Sequence, residues 1–365
     1  MSTMKFDSNI TSFIPEAVQS VADLIKKAAF KYDMVTNTLT IVDGVENDKR
    51  VGFFGKLPAI GLKKPVAGCT LNTVTGEIVT SEKTWQPRPW NTRIPFCVDD
   101  FEGIFQRGLQ KGISRYDMTS TDVFDIIQEM IEEAIAEFTF RAGWFSDKDA
   151  ANYNDSPAGY ITNGKDVKLF STADGLFKRA YAIIAATPAQ RVNPSNVISN
   201  ANGQATYAAQ EAGLTAANAL LTIQQMVLKA PAALRQKLKS GGYGIACTQL
   251  LFDKVTANFK AFELESMRVD LENGIEAIKI EGVPVYPVPE WDEVINEYEN
   301  DGTKWRDPFR ALLYNKENAQ MGVPSISVWG DYDAFFDKKD KKVYIDMEDK
   351  YDTHFIQDNL IMFAV

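Results

Sequence analysis

The sequence predicts a protein of the α+β class. Three observations support this class. Residues 119–141 carry the spacing of a long amphipathic helix, Thr- and Val-rich alternating segments typical of strands precede it, and helix-like and strand-like patterns follow one another after about residue 165. With 365 residues, of which 45% are hydrophobic, the chain can bury the core of two or three domain-sized units.

The first two predicted elements carry little apolar surface. Residues 15–30 predict a short helix that begins with Pro15 and has only a narrow apolar stripe, so it is marginal alone and needs a further surface to pack on. Residues 34–95 are rich in Thr, Val and Gly, and alternation around Thr75-Gly76 predicts a β hairpin. Few strong apolar clusters bind this region to a core of its own, so we expect an extended β arm.

The strongest helix pattern in the chain covers residues 119–141. Five apolar residues at three- and four-residue spacing form one face, namely Val123, Ile127, Met130, Ala134 and Phe138. Acidic residues crowd the remainder, and the first basic residue of the pattern is Arg141. We therefore predict a long helix with one apolar stripe and one acidic face.

A compact α+β domain is predicted between and after two polar surface loops, at 146–164 and 193–203. Gly241-Gly242 should end a helix, and prolines predict that the strand at 283–288 lies at a sheet edge. The predicted helices cover residues 214–228, 231–239 and 250–259. The predicted strands cover residues 243–248, 275–280, 283–288 and 309–314, followed by short β runs that include 359–365.

Composition excludes several classes of function. Lys and Arg total 39 against 49 Asp and Glu, and this net charge of -10 disfavours tight nucleic-acid binding, which requires phosphate neutralisation. Cys69, Cys97 and Cys247 lie far apart, which predicts reduced, inert thiols and neither a disulfide framework nor a zinc site. The N-terminus lacks a secretory signal pattern, and no apolar run is long enough to span a bilayer, so we expect a protein kept in a cytoplasm.

We expect no catalytic, cofactor or metal site. His354 is the only histidine, which removes most hydrolase schemes and predicts a structural imidazole on a strand. Gly241-Gly242-Tyr243-Gly244 lies between a helix and a strand, the wrong order for a dinucleotide-binding turn. Asp147-Lys148-Asp149 and Asp331-Tyr332-Asp333 lack the spacing of a calcium loop. Abundant carboxylates leave a glycosidase-type pair open, but nothing singles out two of them.

In order, the chain presents a helical arm, a β hairpin, a long helix, a mixed domain and a β-rich return. This order resembles the major capsid proteins of tailed bacteriophages, of the Hong Kong 97 type. The resemblance is sharpest in the last hundred or so residues, in Asn273-Gly274-Ile275, Ile280-Glu281-Gly282-Val283-Pro284-Val285, Asp307-Pro308-Phe309-Arg310-Ala311-Leu312-Leu313-Tyr314-Asn315-Lys316-Glu317-Asn318, Gly322-Val323 and Asp358-Asn359-Leu360-Ile361-Met362-Phe363-Ala364-Val365.

The resemblance implies a division of the chain. The implied parts are an N-terminal arm at 1–33, an extended β-hairpin loop at 34–95, a first part of a peripheral domain at 96–164 with a spine helix at 119–144, an axial domain at 165–320, and C-terminal strands of the peripheral domain at 321–365.

It also implies a function: a non-enzymatic subunit that self-assembles as hexamers and pentamers into an icosahedral shell, encloses phage DNA without reading its sequence, and is built in the bacterial host cytoplasm. Portal and decoration proteins are the implied partners. No long, charged helical segment precedes the arm, which implies a separate scaffolding protein or none.

Charge segregation suggests how neighbouring subunits recognise each other. Residues 34–95 contain eight basic and five acidic residues, a balance of +3, whereas residues 120–141 contain six acidic residues and one Arg, a balance of -5. We hypothesise that the basic arm of one subunit lies over the acidic helix of its neighbour and steers assembly. The candidate interface residues are Lys63, Lys64, Lys83, Arg88, Glu129, Glu132 and Glu133. Ordinary solvated faces would give the same pattern.

Two alternatives remain open at this point. A bacterial nanocompartment shell of the encapsulin type resembles the same fold and encloses an enzyme instead of a genome. A soluble carboxylate-based hydrolase would form a small, monodisperse species.

Overall fold

A computed structural model describes residues 37–54, 80–97, 121–192, 206–238, 241–261, 268–270, 276–326, 329, 331–337 and 342–365. The predicted helix at 15–30, the hairpin tip around Thr75-Gly76 and the loop at 193–203 lie outside these residues. The loop predicted at 146–164 is irregular apart from an isolated bridge between Asn152 and Ile161.

The long helix is confirmed, and the helices predicted after it are also present. The helices are α1 (Thr121–Phe145), α2 (Leu176–Ala186), α3 (Tyr207–Gly213), α4 (Ala216–Leu228), α5 (Ala232–Leu238), α6 (Gln249–Ala261) and α7 (Pro289–Tyr298). Thr206 and Thr215 cap α3 and α4 by accepting hydrogen bonds from backbone N–H groups of the first turn. Gly241 and Gly242, with φ of +82° and +79°, follow α5 in the left-handed conformation expected of a helix stop.

Three sheets contain the strands. The strands are β1 (Thr40–Val42), β2 (Arg50–Phe54), β3 (Thr80–Thr84), β4 (Arg88–Cys97), β5 (Arg191–Val192), β6 (Tyr243–Cys247), β7 (Arg268–Asp270), β8 (Glu276–Ile280), β9 (Val283–Pro287), β10 (Ala311–Asn315), β11 (Ala319–Gly322), β12 (Asp331–Asp337), β13 (Lys342–Phe355) and β14 (Met362–Ala364).

The largest sheet has the order β5-β14-β10-β6-β9-β8-β7 and is covered on both faces. Successive side chains of a strand point to opposite faces, and β10 shows this directly. Leu312 and Tyr314 enter a first core shared with α1, α2 and α7, whereas Ala311 and Leu313 enter a second core shared with α4, α5 and α6. The result is a sheet between two helical layers.

The prediction that the strand at 283–288 lies at an edge is wrong. β9 lies between β6, to which it is parallel, and β8, to which it is antiparallel. Pro284 and Pro287 occupy the second and last positions of the strand. The fully buried Val285 at its centre pairs with Ile245 on one side and Ile278 on the other. The prolines are tolerated because they flank the central residue, so their presence did not identify an edge.

The segment at 34–95 is anchored in the chain more firmly than its composition suggests. β1 runs parallel to β11, and all ten residues of β4 pair with β13 in the five-stranded sheet. Leu39, Val45, Trp85 and Trp90 are buried. Single large side chains scattered among polar residues carry this burial: Leu39 and Trp90 pack in the first core, and Val45 and Trp85 pack against Ile356.

Two further placements bear on the predicted division of the chain. β2 and β3 pair only with each other among the described strands and form an antiparallel ribbon, Arg50 opposite Thr84. At its base a third, small cluster contains Val45, Trp85 and Ile356. The last strand, β14, lies in the seven-stranded sheet beside β10 and β5, whereas β12 and β13 belong to the five-stranded sheet.

Candidate functional site

The candidate interface residues occupy separate elements. Lys63 and Lys64 lie outside the described residues. Glu129 and Glu132 lie on α1 in the part whose side chains are not described, and Glu133 follows them with an exposed side chain. Arg88 is exposed at the first position of β4, opposite Tyr351 of β13.

Lys83 is engaged within its own chain. From β3 its ammonium group forms an ion pair with Asp358 and donates a hydrogen bond to the carbonyl oxygen of Phe355. The exposed fraction of the Lys83 side chain is only 23%. The Lys83 ammonium group therefore joins the base of the β2–β3 ribbon to the C-terminal segment. Of the two basic candidate residues that the structure describes, Lys83 and Arg88, only Arg88 is exposed.

In the C-terminal part of α1, one acidic side chain is paired within the helix itself. Glu137 forms an ion pair with Arg141, one turn later, in the favourable i,i+4 arrangement. The Arg141 guanidinium is buried and lies 5.8 Å from the ring centroid of Phe170 and 5.5 Å from that of Tyr298. The acidic face of α1 thus ends at Arg141, whose buried guanidinium packs against aromatic rings of the first core.

Asp352 of β13 joins three elements at the base of the ribbon. Its carboxylate accepts hydrogen bonds from the backbone N–H of Gln86 and from the Arg179 guanidinium, each at 2.8 Å, and lies 3.2 Å from Nε2 of His354. Burial alone would raise the pKa of Asp352, but His354, Arg179 and the Gln86 amide outweigh it and hold this pKa below its usual range.

His354 has the structural position predicted for it. It lies on β13 and is nearly buried, with its ring edge-on to Trp85 at a centroid distance of 4.9 Å. Its described contacts, with the Trp85 ring and the Asp352 carboxylate, are those of a packed imidazole. The residue connects the third cluster to Asp352.

A buried ionic cluster escaped the sequence analysis. Arg310 and Glu299 are almost completely buried and form an ion pair, and Arg306 lies 3.5 Å from the same carboxylate. Nε and Nη2 of Arg310 donate to the carbonyl oxygens of Asp307 and Arg306, each at 3.0 Å. The cation lies 4.9 Å from the ring centroid of Phe177. The run Asp307-Pro308-Phe309-Arg310 contributed only to the family resemblance, and it does not show that Arg310 pairs with a buried carboxylate.

This cluster is suited to holding elements together. Glu299 is the residue directly after α7, Arg310 directly precedes β10, and Phe177 belongs to α2, so the ion pair and the cation–ring contact join three elements of the first core. Burial lowers and the Glu299 charge raises the pKa of Arg306, and the net shift is upward, so the guanidinium stays charged.

Two further residues considered in the sequence analysis, Asp147 and Cys247, are buried. Asp147 accepts hydrogen bonds from Lys178 at 2.9 Å, from the Tyr160 hydroxyl at 2.8 Å and from the Asp149 amide at 2.9 Å. Cys247 is buried, and burial raises the pKa of its thiol well above the usual value, so the thiol is a poor nucleophile, as expected of an inert thiol. Within the described ranges, no group of His, Cys, Asp and Glu could hold a metal ion. The described helices include none that is long and apolar enough to cross a bilayer.

Comparisons with solved structures identify the fold of the chain. No protein-family model matches the chain, and no curated protein matches it significantly. A chain of the satellite phage P4 procapsid, solved with the size determination protein Sid, superimposes with a TM-score of 0.52 at 11% identity, over 95% of this chain and 97% of that one. The chain has a phage capsid fold. This confirms the predicted α+β class and the expectation of a Hong Kong 97-type capsid fold.

Two other solved structures are similar at lower scores. The Mycobacterium phage Ogopogo structure gives a TM-score of 0.45 at 12% identity and covers 90% of both chains. The holo-SrpI encapsulin complex from Synechococcus elongatus PCC 7942 gives 0.42 at 10% identity, over 92% of this chain and 87% of that one.

Proposed function

We propose that the chain is a structural subunit that self-assembles into an icosahedral capsid enclosing a phage DNA genome. The observation that carries this proposal is the superposition on the P4 procapsid chain over nearly the full length of both chains. The proposed role is non-enzymatic, and the proposed partners are other copies of the chain as hexamers and pentamers, with scaffolding, portal and decoration proteins. The proposed location is the virion, after assembly in the host cytoplasm.

The β2–β3 ribbon supports self-assembly on physical grounds. An isolated two-stranded ribbon is at best marginally stable in water. The ribbon pairs with no other described strand, and its ion pair between Arg50 and Glu82, at 3.3 Å, is exposed and contributes little. Burial against a neighbouring subunit would supply the missing stabilisation. The net charge of -10 is compatible with DNA that is enclosed and not tightly bound.

Electron microscopy of the purified full chain tests the proposal. We expect closed shells of uniform diameter, and particles from phage-producing cells should contain nuclease-protected DNA. A small monodisperse species at every concentration would contradict a shell, whereas particles that contain protein cargo and no DNA would identify a nanocompartment.

We further propose that the basic segment carrying Lys63, Lys64, Lys83 and Arg88 lies over the acidic face of a neighbour's α1. Exposed Glu133 and exposed Arg88 support this pairing, with Lys83 acting through the ribbon base. Changing Glu132 and Glu133 to Lys should raise the assembly concentration several-fold, because each exposed pair contributes about 0–1 kcal/mol and the shell repeats it.

The matched control makes the same charge change elsewhere. Glu281 lies in the β8–β9 turn and Glu293 on α7, and both are exposed. Changing both to Lys should leave assembly near the parent level. Equal assembly of the two double variants, with equal thermal midpoints, would remove α1 from the interface.

A further inference from the structure

Charged residues are nearly absent from one long stretch of the chain. Residues 180–228 contain only Arg191 and Glu211, whereas 24% of the whole chain is charged. The described part of this stretch includes α3 and α4, and α4 itself contains no charged residue. Depletion of charge is typical of the centre of a protein interface, because charges there lose their hydration.

α4 carries no charged residue on either of two opposite faces. Its inner face places Ala219, Ile223 and Met226 in the second core, where all three are fully buried. The opposite face, here called the outer stripe, consists of Ala217, Leu221, Gln224 and Leu228 at spacings of four, three and four residues. These spacings keep the four side chains within a narrow sector of the helix.

The outer stripe is open in the isolated subunit. The exposed fractions are 39% for Leu221 and 57% for Leu228, and of the large apolar residues in the described ranges only Leu169 is similarly exposed. Lys229, just beyond the stripe, donates a hydrogen bond to the Gln225 side chain at 3.0 Å. Leu221 and Leu228 therefore expose apolar surface on a helix without charged residues, which is typical of a face that packs against another protein surface.

The chemistry of the stripe points to a like surface on another copy. A charged partner would have to give up hydration without finding an opposite charge. Two copies that each carry a charge of -10 repel each other, and the repulsion is least where uncharged faces meet. We propose that the outer stripe of α4 is a contact surface for a second copy of this chain, an inference that rests on the proposed shell function and names one of its contacts.

A single substitution with a matched control tests the contact. Leu228→Glu places a charge on the stripe, and Leu169→Glu makes the same change at a residue that is 38% exposed in the short turn Val167–Leu169. Sedimentation velocity should show that Leu228→Glu raises the assembly concentration by more than about tenfold. Leu169→Glu should change it less than about twofold, with both thermal midpoints near that of the parent.

Crosslinking identifies what covers the stripe. A benzophenone side chain at Gln224 is photoactivated in assemblies mixed from 14N- and 15N-labelled chains, and crosslinked peptides are read by mass spectrometry. Mixed-isotope peptides that include α4 support the proposal. Crosslinks confined to one chain, together with normal assembly of Leu228→Glu, would overturn it and identify another part of the same chain as the cover.

The two proposals fail separately. If the parent forms shells and Leu228→Glu forms them equally well, the outer stripe is not a contact and the shell function stands. If the parent forms only small oligomers that Leu228→Glu dissociates, the contact stands and the shell function fails.

Discussion

Replacing Trp85 with Ala should loosen the base of the β2–β3 ribbon while the two large cores stay folded. Trp85 is 1% exposed, and its backbone N–H donates to the Lys49 carbonyl while its own carbonyl accepts from Asp48, each at 3.0 Å. Its ring lies edge-on to His354 and fills the space where a side chain at Gly322 would lie, 2.8 Å from that position. It belongs to the third cluster, separate from both large cores.

Removal of a buried Trp side chain costs about 3–5 kcal/mol. Because the third cluster is small, this cost should appear as local opening and only partly as loss of global stability. Hydrogen exchange should accelerate in residues 45–54 and 80–90 while β6 and β10 stay protected. The assembly concentration should rise, since the ribbon would no longer be held in one orientation.

Trp291 provides the matched control. It is fully buried in the first core, with its ring centroid 4.9 Å from those of Trp144 and Phe177. Trp291→Ala should therefore lower the protection of β6 and β10 together with the rest of the chain. The reasoning is refuted if Trp85→Ala opens the seven-stranded sheet as Trp291→Ala does, or if it assembles at the parent concentration with unchanged exchange near the ribbon.

Two further predictions concern buried charges. Arg310→Met should lower the free energy of unfolding by about 3–5 kcal/mol in urea titrations, because it removes the cation that pairs with the buried Glu299 carboxylate. Adding Glu299→Leu should restore part of the loss. An unchanged urea midpoint for Arg310→Met would contradict this. Asp352 has a folded-state pKa below its unfolded value of about 3.9, so its stabilisation is present above about pH 4 and is lost as pH falls through the folded pKa. Asp352→Asn should lower stability at pH 7 and flatten the acid limb of a thermal-midpoint profile, and a parallel profile for the two proteins would exclude this role.

The helices were more predictable than the sheets. The predicted apolar stripe of α1, from Val123 to Phe138, runs for about four turns, so its period was plain, and the glycines after α5 have the positive φ that the sequence implied. β13 was harder, although it alternates Ile345 and Met347 with charged residues as a half-buried strand does. Its many charges make it resemble a surface loop. The position of β9 could not be read locally, because pairing on both sides of a strand depends on distant residues.

The candidate interface was less predictable, because ion pairing within the chain decides which charges remain for a neighbour. Glu137 pairs with Arg141 at the i,i+4 spacing that the sequence shows, whereas Lys83 pairs with the distant Asp358, which the local charge balance does not reveal. Arg88 and Glu133 are exposed, so we expect the charged surfaces to steer assembly and the outer stripe to supply the larger share of the affinity.

Salt separates these two contributions. Screening at 1 M ionic strength shortens the Debye length to about 3 Å, so the defect of the Glu132 and Glu133 variant should shrink as salt rises. The proposed contact at the outer stripe would bury apolar surface of Leu221 and Leu228, and kosmotropic salts strengthen such burial. A comparison of assembly concentrations for the two variants in low and high sulfate measures the contrast. If the charge-reversal defect were independent of salt, its cause would be a local change in α1 and not a lost attraction between subunits.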